Sequence, residues 1–434
     1  MSKTFRDWKI DEVQLLAPSV SDFVDADHLA RFVVNLVRET LDLRAILSSY
    51  SSATGQPPFD PRMMTALLLY GYTQGIYSSR RLARACRERV DFMAIVALDP
   101  PDFRTISDFR KRHLPALAGL FVQVLRLCEQ AGLVKLGHVA LDGTKIKANA
   151  SKHKAMSYER MKKREAELQA EVDRWLAAGE AADAEEDRLY GKDKRGDALP
   201  AWVADKQKRL EKIRKAKAEL EAEAKAARQE KDKTPPKHRG GRKPKTPPGE
   251  PKPEAQKNFT DPDSSIMKAS DGFIQGWNAQ AAVDAKAQVI VAHELSACAG
   301  DQPHLVPVLD AIENTLGRKP KELSADSGYC SEDNLAALEA RAIRGYVATG
   351  RAKHPAGGEA RRRGPLVEAM RRRLKRGGRR SRYRLRKQLP EPVFGQIKQA
   401  RGFRQFLLRG IDKVKGEWAM ISTAHNILKL ARVA

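Results

Sequence analysis

The sequence predicts an α/β protein, α+β in overall content, in which a mixed β-sheet is joined to helical segments. Two observations favour this class. Residues 21–132 carry helical periodicity throughout, and the segment 115–131 has apolar positions at a clean 3.6 spacing that ends at Gly132. From residue 138 onwards, once the charged stretches are set aside, short buried strands alternate with amphipathic helices. Such alternation around short central strands is typical of a mixed sheet.

Composition excludes several classes of protein. The 434 residues are 41% hydrophobic and 31% charged, without a run of eighteen apolar residues, so no membrane span is expected. The N-terminus lacks the apolar core of a signal peptide, and we therefore expect a cytoplasmic protein without a membrane partner. Four cysteines lie far apart and form no CxxC pair, which favours reduced thiols over a zinc site or disulfides: Cys86, Cys128, Cys298 and Cys330.

The formal charge of +25 is concentrated in two stretches. Residues 351–388 hold sixteen Lys or Arg against two Glu, and residues 231–257 hold nine against three acidic residues. Clustered charge of this kind attracts a polyanion. Neither stretch has the apolar face of a membrane-surface helix. Nucleic acid is therefore the favoured partner, although basic runs are often only solvated.

Residues 1–132 are expected to form a helical, DNA-binding domain. The residues that start and stop helices predict four of them. These are Met63–Tyr72, which is preceded by Pro61, a helix from Ser78-Ser79 to about Arg89, a helix that begins at a capping box at Thr105, and 115–131. Arg80 and Arg81 lie on the second helix. That helix either docks on DNA as helix-turn-helix elements do or forms the basic outer face of a bundle, and both interpretations stay open.

Residues 138–148 switch to strand periodicity, with Asp142 placed where the buried run ends. Asp142-Gly143 is also a common hairpin turn, but no matching strand follows it. Residues 133–156 therefore hold the first strand of the α/β core, and 157–257 form an insertion into that core. Its first part, 157–230, predicts an antiparallel helical pair with mixed Glu/Lys faces, and 231–257 a basic linker.

The remainder of the core, 258–434, contains the basic segment 351–388. Its predicted elements are strands Phe273–Val283 and Val289–Glu294, a helix after Asp301 to about Leu316, a strand Leu323–Ala325 that ends at Asp326, a helix capped by Ser331, a strand Arg344–Thr349, and closing helices 403–411 and 413–432. Trp277 lies on the first of these strands, where core packing is favoured over stacking on a base.

One further helix carries Glu391. Pro392 has a fixed φ and no N–H, which suits the first helical position, so the helix is expected to begin there with Glu391 at its edge. Glu391, Gly395, Lys398 and Gly402 then share one face, opposite an apolar face of Val393, Ile397 and Ala400. A Glu at a helix start is ordinarily a dipole partner; with two Asp at strand ends upstream, it is also a possible third metal ligand.

These features resemble a bacterial insertion-sequence transposase of the DDE type, with an RNase H-like mixed-sheet core. The resemblance covers nearly the whole chain, and its motifs are Tyr77-Ser78-Ser79-Arg80-Arg81-Leu82, Pro101-Asp102-Phe103-Arg104-Thr105-Ile106, Leu141-Asp142-Gly143-Thr144-Lys145, Asn278-Ala279-Gln280 and Ala325-Asp326-Ser327-Gly328-Tyr329. The family's Tyr-Arg-Glu-Lys signature is matched by Tyr383, Arg386, Glu391 and Lys398. Four residues rather than three separate Arg386 from Glu391, so Lys387 is the alternative for the arginine position.

The resemblance implies that Asp142, Asp326 and Glu391 bind two Mg²⁺ or Mn²⁺ ions and catalyse DNA cleavage and strand transfer. It also implies that Lys398, Tyr383 and Arg386 (or Lys387) contact double-stranded DNA, at transposon ends and target. Pairing two ends suggests a homodimer. Two other functions stay open: a metal-dependent nuclease of the same fold that never joins strands, and a catalytically silent DNA-binding or repressor protein derived from a transposase.

Overall fold

The computed structural model describes residues 19–50, 57–190, 201–233, 246–269, 272–350, 364–378 and 381–433, without the side chains of 175–176, 178–190, 201–204 and 230–233. Residues 191–200, which include Gly191 and Gly196 of the loop predicted between the two insertion helices, lie outside the described residues. So does much of both basic stretches (234–245, 351–363 and 379–380). So do the side chains of Trp175 and Leu176.

A six-stranded mixed sheet forms the centre of the protein. The strands of the described residues are β1 (His138–Lys147), β2 (Ala155–Ser157), β3 (Gln256–Asn258), β4 (Ser265–Ala269), β5 (Gly272–Asp284), β6 (Ile290–Ser296), β7 (Glu322–Ala325) and β8 (Arg344–Val347). All of them except β2 and β3 belong to this sheet. Their order is β6-β5-β1-β7-β8, and β4 pairs with the first part of β5. β1 is antiparallel to β5 and parallel to β7, while β2 and β3 form a separate ribbon. This topology confirms the mixed α/β class and agrees with an RNase H-like core.

Helices cover the sheet and make up the N-terminal region. They are α1 (Leu29–Asn35), α2 (Arg44–Leu47), α3 (Pro61–Thr73), α4 (Ser79–Glu88), α5 (Val90–Ile95), α6 (Phe103–Gln130), α7 (Tyr158–Tyr190), α8 (Ala201–Lys233), α9 (Leu305–Leu316), α10 (Glu332–Ala340), α11 (Pro365–Gly377), α12 (Leu385–Gln388), α13 (Pro390–Gly395) and α14 (Ile411–Leu430). Across the described ranges, none of them combines the length and the apolar character needed to cross a membrane.

The predicted break between two helices near residue 115 is wrong, because α6 is continuous. It begins earlier than the Thr105 capping box, since the Asp102 side chain accepts a hydrogen bond from the Arg104 N–H at 2.8 Å. Pro115 lies inside the helix and removes one backbone donor. Its neighbours Leu114 and Leu117 are buried in the core, and this packing outweighs the lost hydrogen bond.

The predicted helix 403–411 is also wrong. This segment is extended and runs beside the end of β1, where the Phe406 N–H donates to the Lys147 carbonyl at 2.9 Å and Lys147 returns a bond to Arg404. Phe403 and Phe406 are both buried in the core. Helical spacing would not allow the segment to pair with β1 while burying both rings, so tertiary contacts override local propensity.

The N-terminal helices and the sheet share one hydrophobic core. α14 packs against α3, α6 and β6. The turn between α3 and α4 contacts the segment that follows α13: the Tyr77 ring lies 4.4 Å from that of Phe403, and its hydroxyl donates to the Gly402 carbonyl at 3.2 Å. The N-terminal helices are thereby fixed against the end of the helix that carries Glu391.

Gly75 allows this contact, and Gly75→Ala is expected to weaken it. Gly75 has φ +70°, and a Cβ there would lie 3.1 Å from the Arg401 Cα and closer still to its carbonyl. We expect a loss of about 1–3 kcal/mol in the free energy of unfolding, measured by denaturant titration. Gly119→Ala is the control, since nothing lies within 4 Å of that position in α6, and it should be neutral or stabilising. Equal stability of the two variants would contradict the prediction.

The insertion is an antiparallel helical pair, as predicted. α7 and α8 bury their own apolar cluster, which includes Met161, Leu168, Leu210 and Ile213 and is separate from the main core. Glu165 forms ion pairs with Arg214 at 3.1 Å and Lys217 at 2.8 Å, and Glu171 pairs with Lys206 at 2.6 Å across the hairpin. The β2–β3 ribbon closes its base.

Candidate active site

Asp142 lies in the middle of β1, which corrects its predicted position at the end of a strand. β5 pairs with β1 as far as Lys147, so Asp142-Gly143 is strand and not a hairpin turn. The Asp142 side chain is nearly buried, and its Oδ1 accepts from the Gly143 N–H at 2.9 Å. Burial raises the pKa of Asp142 to about 6, and the nearby Arg386 only partly offsets this effect.

Asp326 lies beside Asp142 because of strand register. β7 runs parallel to β1 with Ala325 opposite Leu141, so the residues that follow each of these are neighbours. Asp326 comes directly after β7, as the sequence predicted, and its Oδ1 accepts from the Gly328 N–H at 2.8 Å. Two carboxylates from adjacent central strands therefore converge.

Arg386 occupies the space between these carboxylates. Its Nη2 lies 3.2 Å from Asp142 Oδ2 and 3.9 Å from Asp326 Oδ2. It belongs to α12, which packs on β1 and β7. Its Nε is buried without a hydrogen-bond partner among the described residues. Burial alone would lower the pKa of Arg386, but the surrounding acidic groups raise it. A guanidinium is therefore the cation that lies between the two carboxylates and offsets part of their charge.

Glu391 is near this pair but outside it. α13 begins at Pro390 instead of the predicted Pro392, which places Glu391 inside the first turn; both prolines fit there because that turn needs no N–H partners. α13 packs on β1 and β5. The Glu391 side chain is exposed and makes no hydrogen bond or ion pair with the described residues, yet its charge contributes to the raised pKa of Arg386.

The single helical face predicted to carry Glu391, Gly395, Lys398 and Gly402 is interrupted in the structure. After Gly395 the helix widens into a π-turn, Gln396–Ala400, and Gly402 lies beyond it with φ +76°. The wider turn shifts Lys398 relative to Glu391. On the opposite face Val393 and Ile397 are buried as predicted, whereas Ala400 is exposed.

The other signature residues differ in their surroundings. Lys398 Nζ donates to the Lys145 carbonyl of β1 at 2.8 Å, and burial lowers the pKa of Lys398. Tyr383 is half-buried. Lys387 is exposed on the outer side of α12. Of the two candidates for the signature arginine, Arg386 is thus the one that faces the carboxylates.

Arg80 and Arg81 lie on the exposed face of α4, which buries Leu82 and Cys86 on its other side. The Arg80 guanidinium lies over the Phe103 ring, 5.2 Å from its centroid. Trp277 is fully buried, so core packing is confirmed over base stacking.

A polar network behind β1 was not found from the sequence. Asp301 accepts hydrogen bonds from Asn278 Nδ2 at 2.7 Å, Gln280 Nε2 at 2.9 Å and Lys145 Nζ at 3.2 Å. The Tyr329 hydroxyl donates to Gln280. Burial alone would raise the pKa of Asp301, but these donors hold it below its ordinary value. The sequence signal that could have revealed this network is the pair of amide side chains on one face of the buried strand β5.

Gly143 makes room for the network on the face of β1 opposite to Asp142. A Cβ at this position would lie 2.9 Å from Asp301 Oδ1 and 3.0 Å from Asn278 Oδ1. Strand alternation puts Gly143 and Lys145 on one face and Asp142 on the other. Asp301 already serves three donors, so we assign it to holding β1 in place and not to the pair.

Asp301→Ala is expected to destabilise the protein by about 1–3 kcal/mol, because three donors lose a charged acceptor while each keeps a second, neutral one. The free energy of unfolding measures it. Asp310→Ala is the control: Asp310 pairs with Arg341 at 2.6 Å in a half-exposed position, where such a pair contributes about 0–1 kcal/mol. Similar losses for both variants would show that the network adds nothing beyond one ion pair.

The donor set fits a divalent cation in part. Asp142 and Asp326 offer hard oxygen ligands and already enclose a positive group. Within the described ranges, however, no three acidic, His or Cys side chains stand close enough together to hold a metal ion. For Asp142, Asp326 and Glu391 to bind an ion together, the Arg386 guanidinium would therefore have to move away from the two aspartates, and the Glu391 side chain would have to turn toward them.

Two family models match the chain. One, described as "Transposase domain (DUF772)", matches residues 18–112, and the other, described as "Transposase DDE domain", matches residues 351–431. The first range contains Arg80 and Arg81, and the second contains Glu391 and Lys398. Asp142 and Asp326 lie between the two ranges. No curated protein and no solved structure matched the chain.

Proposed function

The chain belongs to the DDE-type insertion-sequence transposases, and from this premise we propose that it binds the ends of its own element, cleaves them and joins the freed 3′-OH to target DNA. The observation that carries the proposal is the convergence of Asp142 and Asp326, on adjacent parallel strands, around a single cation. A cation between two carboxylates is the electrostatic arrangement that phosphodiester cleavage needs.

Asp142, Asp326 and Glu391 would hold the divalent ions, Mg²⁺ or Mn²⁺, in a pair. Bound there, such ions supply charge neutralisation at the attacking and leaving oxygens and an activated water. Asp142 is the most rigidly mounted of the three, in a central strand with the network of Asp301 behind it. Glu391 is the adjustable member, since nothing among the described residues fixes its side chain.

Arg386 provides the positive charge in the DNA-free protein. While its guanidinium lies between Asp142 and Asp326, it offsets part of the negative charge of the two carboxylates without a metal ion. We propose that Arg386 leaves this position when the site is loaded and then contacts a phosphate of the bound end. The same side chain thus couples filling of the site to DNA contact.

Other residues position DNA around the site. Lys398 holds the α13 segment to β1 through the Lys145 carbonyl and lies next to Lys145 itself, so it would place a phosphate close to the carboxylates. Tyr383 and the exposed Lys387 extend this contact, and Arg80 and Arg81 would bind the backbone further along the same end. A homodimer would bring two such ends together.

The test is incubation with DNA carrying the inverted repeats that flank the coding sequence, in the presence of Mg²⁺ or Mn²⁺. Cleavage at the repeat followed by joining of the 3′ end to a second duplex is the expected result. Cleavage without joining would replace the transposase with a nuclease of the same fold. Binding without cleavage in either metal would replace it with a silent DNA-binding protein.

A further inference from the structure

A groove lined by basic side chains lies at the base of the α7–α8 hairpin. It is a cavity of about 550 Å³, and a neighbouring cavity of about 560 Å³ continues it along the helices, sharing Arg160 and Arg209. Its basic members, all exposed, are Lys154, Arg160, Lys163, Lys208, Arg209 and Lys212. The floor is apolar and consists of Met156, Ile213 and Phe259.

The charges in this groove are not neutralised by the protein. None of the six basic side chains forms an ion pair with a carboxylate of the described residues, and Asp205 is the one unpaired acidic residue in the lining. The remaining acidic member, Glu167, pairs with Arg164 at 2.8 Å. On the Glu165 face of the hairpin the arrangement differs, because Lys206, Arg214 and Lys217 pair with glutamates across the helices.

This difference decides between a solvated face and a binding site. A hairpin that only needed solubility would mix both signs on every face, as the Glu165 face does. Concentrating unpaired cations in one concave strip raises the local positive potential and attracts a polyanion. An apolar floor between cationic rims accommodates sugar rings while the rims contact phosphates.

The position of the groove also suits DNA that is held at the carboxylates. β1 runs from Asp142 to Lys147 over roughly 16 Å at a rise of about 3.3 Å per residue. The chain then reaches Lys154 and the groove within seven further residues.

We propose that this basic groove binds the sugar-phosphate backbone of duplex DNA, at a contact site separate from the carboxylate pair. The contact is independent of sequence, since no base-reading element faces the groove. Its function is to hold the flanking duplex while the end lies at Asp142 and Asp326.

The test compares two triple variants that remove the same charge. The groove variant is Arg160→Gln, Lys208→Gln and Lys212→Gln. The control variant is Lys162→Gln, Lys215→Gln and Lys225→Gln, at exposed hairpin positions outside the groove. Binding to a mixed-sequence duplex of about 30 base pairs is measured over a range of salt concentrations, because each lost phosphate contact reduces the salt slope by about 0.9.

We expect the groove variant to bind at least about tenfold more weakly near 0.15 M salt, with a slope reduced by about two to three, while the control stays within about twofold of wild type. Equal weakening of both variants would reduce the effect to net charge and overturn the proposal. Unchanged binding of the groove variant would overturn it as well. Binding of polyglutamate, an acidic polypeptide, is measured on the same proteins. If the groove variant lost polyglutamate binding but kept DNA binding, the groove would be a protein site and the proposal would be overturned. Repeating the measurement with Asp326→Asn protein separates groove binding from catalysis.

Discussion

Replacing Asp326 with alanine is expected to abolish DNA cleavage while DNA binding remains. Asp326 is one of the two carboxylates that enclose the cation, and losing an ion ligand removes several kcal/mol of transition-state stabilisation. At 1.36 kcal/mol per factor of ten, this predicts a fall of at least about a thousandfold in cleavage rate. The phosphate contacts that we assign to arginine and lysine are not touched by the change. Single-turnover cleavage and gel-shift binding on the same DNA measure the two effects.

Two further variants make the Asp326 result specific. Asp326→Asn keeps the Oδ1 acceptor for the Gly328 N–H, so loss of cleavage there cannot be assigned to a misfolded loop. Asp333→Ala removes the same charge from an exposed position in the first turn of α10 and should cleave as wild type does. Cleavage by Asp326→Ala at a rate within tenfold of wild type would remove this residue from the site.

Arg386→Gln is expected to bind Mn²⁺ more tightly than wild type in the absence of DNA, and to cleave more slowly in its presence. The guanidinium competes with the metal ion for Asp142 and Asp326. A charged hydrogen bond of this kind is worth about 1.5–3 kcal/mol, which corresponds to roughly a ten- to hundredfold change in affinity. Calorimetric titration with Mn²⁺ measures this without any catalytic readout.

Stability gives a second measurement on the same variant. Without Arg386 the buried Asp142 and the half-buried Asp326 repel each other, so the variant should unfold at a lower temperature than wild type. Mn²⁺ should raise its unfolding temperature by more than it raises that of wild type. Lys387→Gln, which removes an exposed charge from the next position, should bind Mn²⁺ as wild type does. Equal Mn²⁺ affinity in all three proteins would show that Arg386 does not compete for the site.

The sequence predicted elements whose signal is local. The strand that ends at Asp326 is a short apolar run closed by turn residues, and the burial of β7 bears this out. The α7–α8 pair was predicted because its apolar stripes keep a helical period over many turns. In each case the residues that determine the element lie within the element itself.

Features that depend on distant partners were predicted less well. The strand over 138–148 was predicted, but Asp142 was placed where its buried run ends, whereas β5, more than a hundred residues later, pairs with β1 on both sides of Asp142. Residues 403–411 have a helical pattern but pair with the end of β1. The position of Arg386 between the carboxylates depends on the packing of α12 over two strands, which no spacing in the sequence encodes.

The separate apolar cluster of the helical pair, next to the continuous core of the rest, determines how this protein can be taken apart. Excising 158–255 and joining the flanking ribbon strands should leave a folded protein that lacks the DNA contact we propose for the hairpin, because the hairpin buries its own interior. The N-terminal helices cannot be exchanged in this way, because they share their interior with the sheet. Replacing them with the helices of a related protein would expose part of this shared interior, so chimaeras should be joined at the hairpin instead.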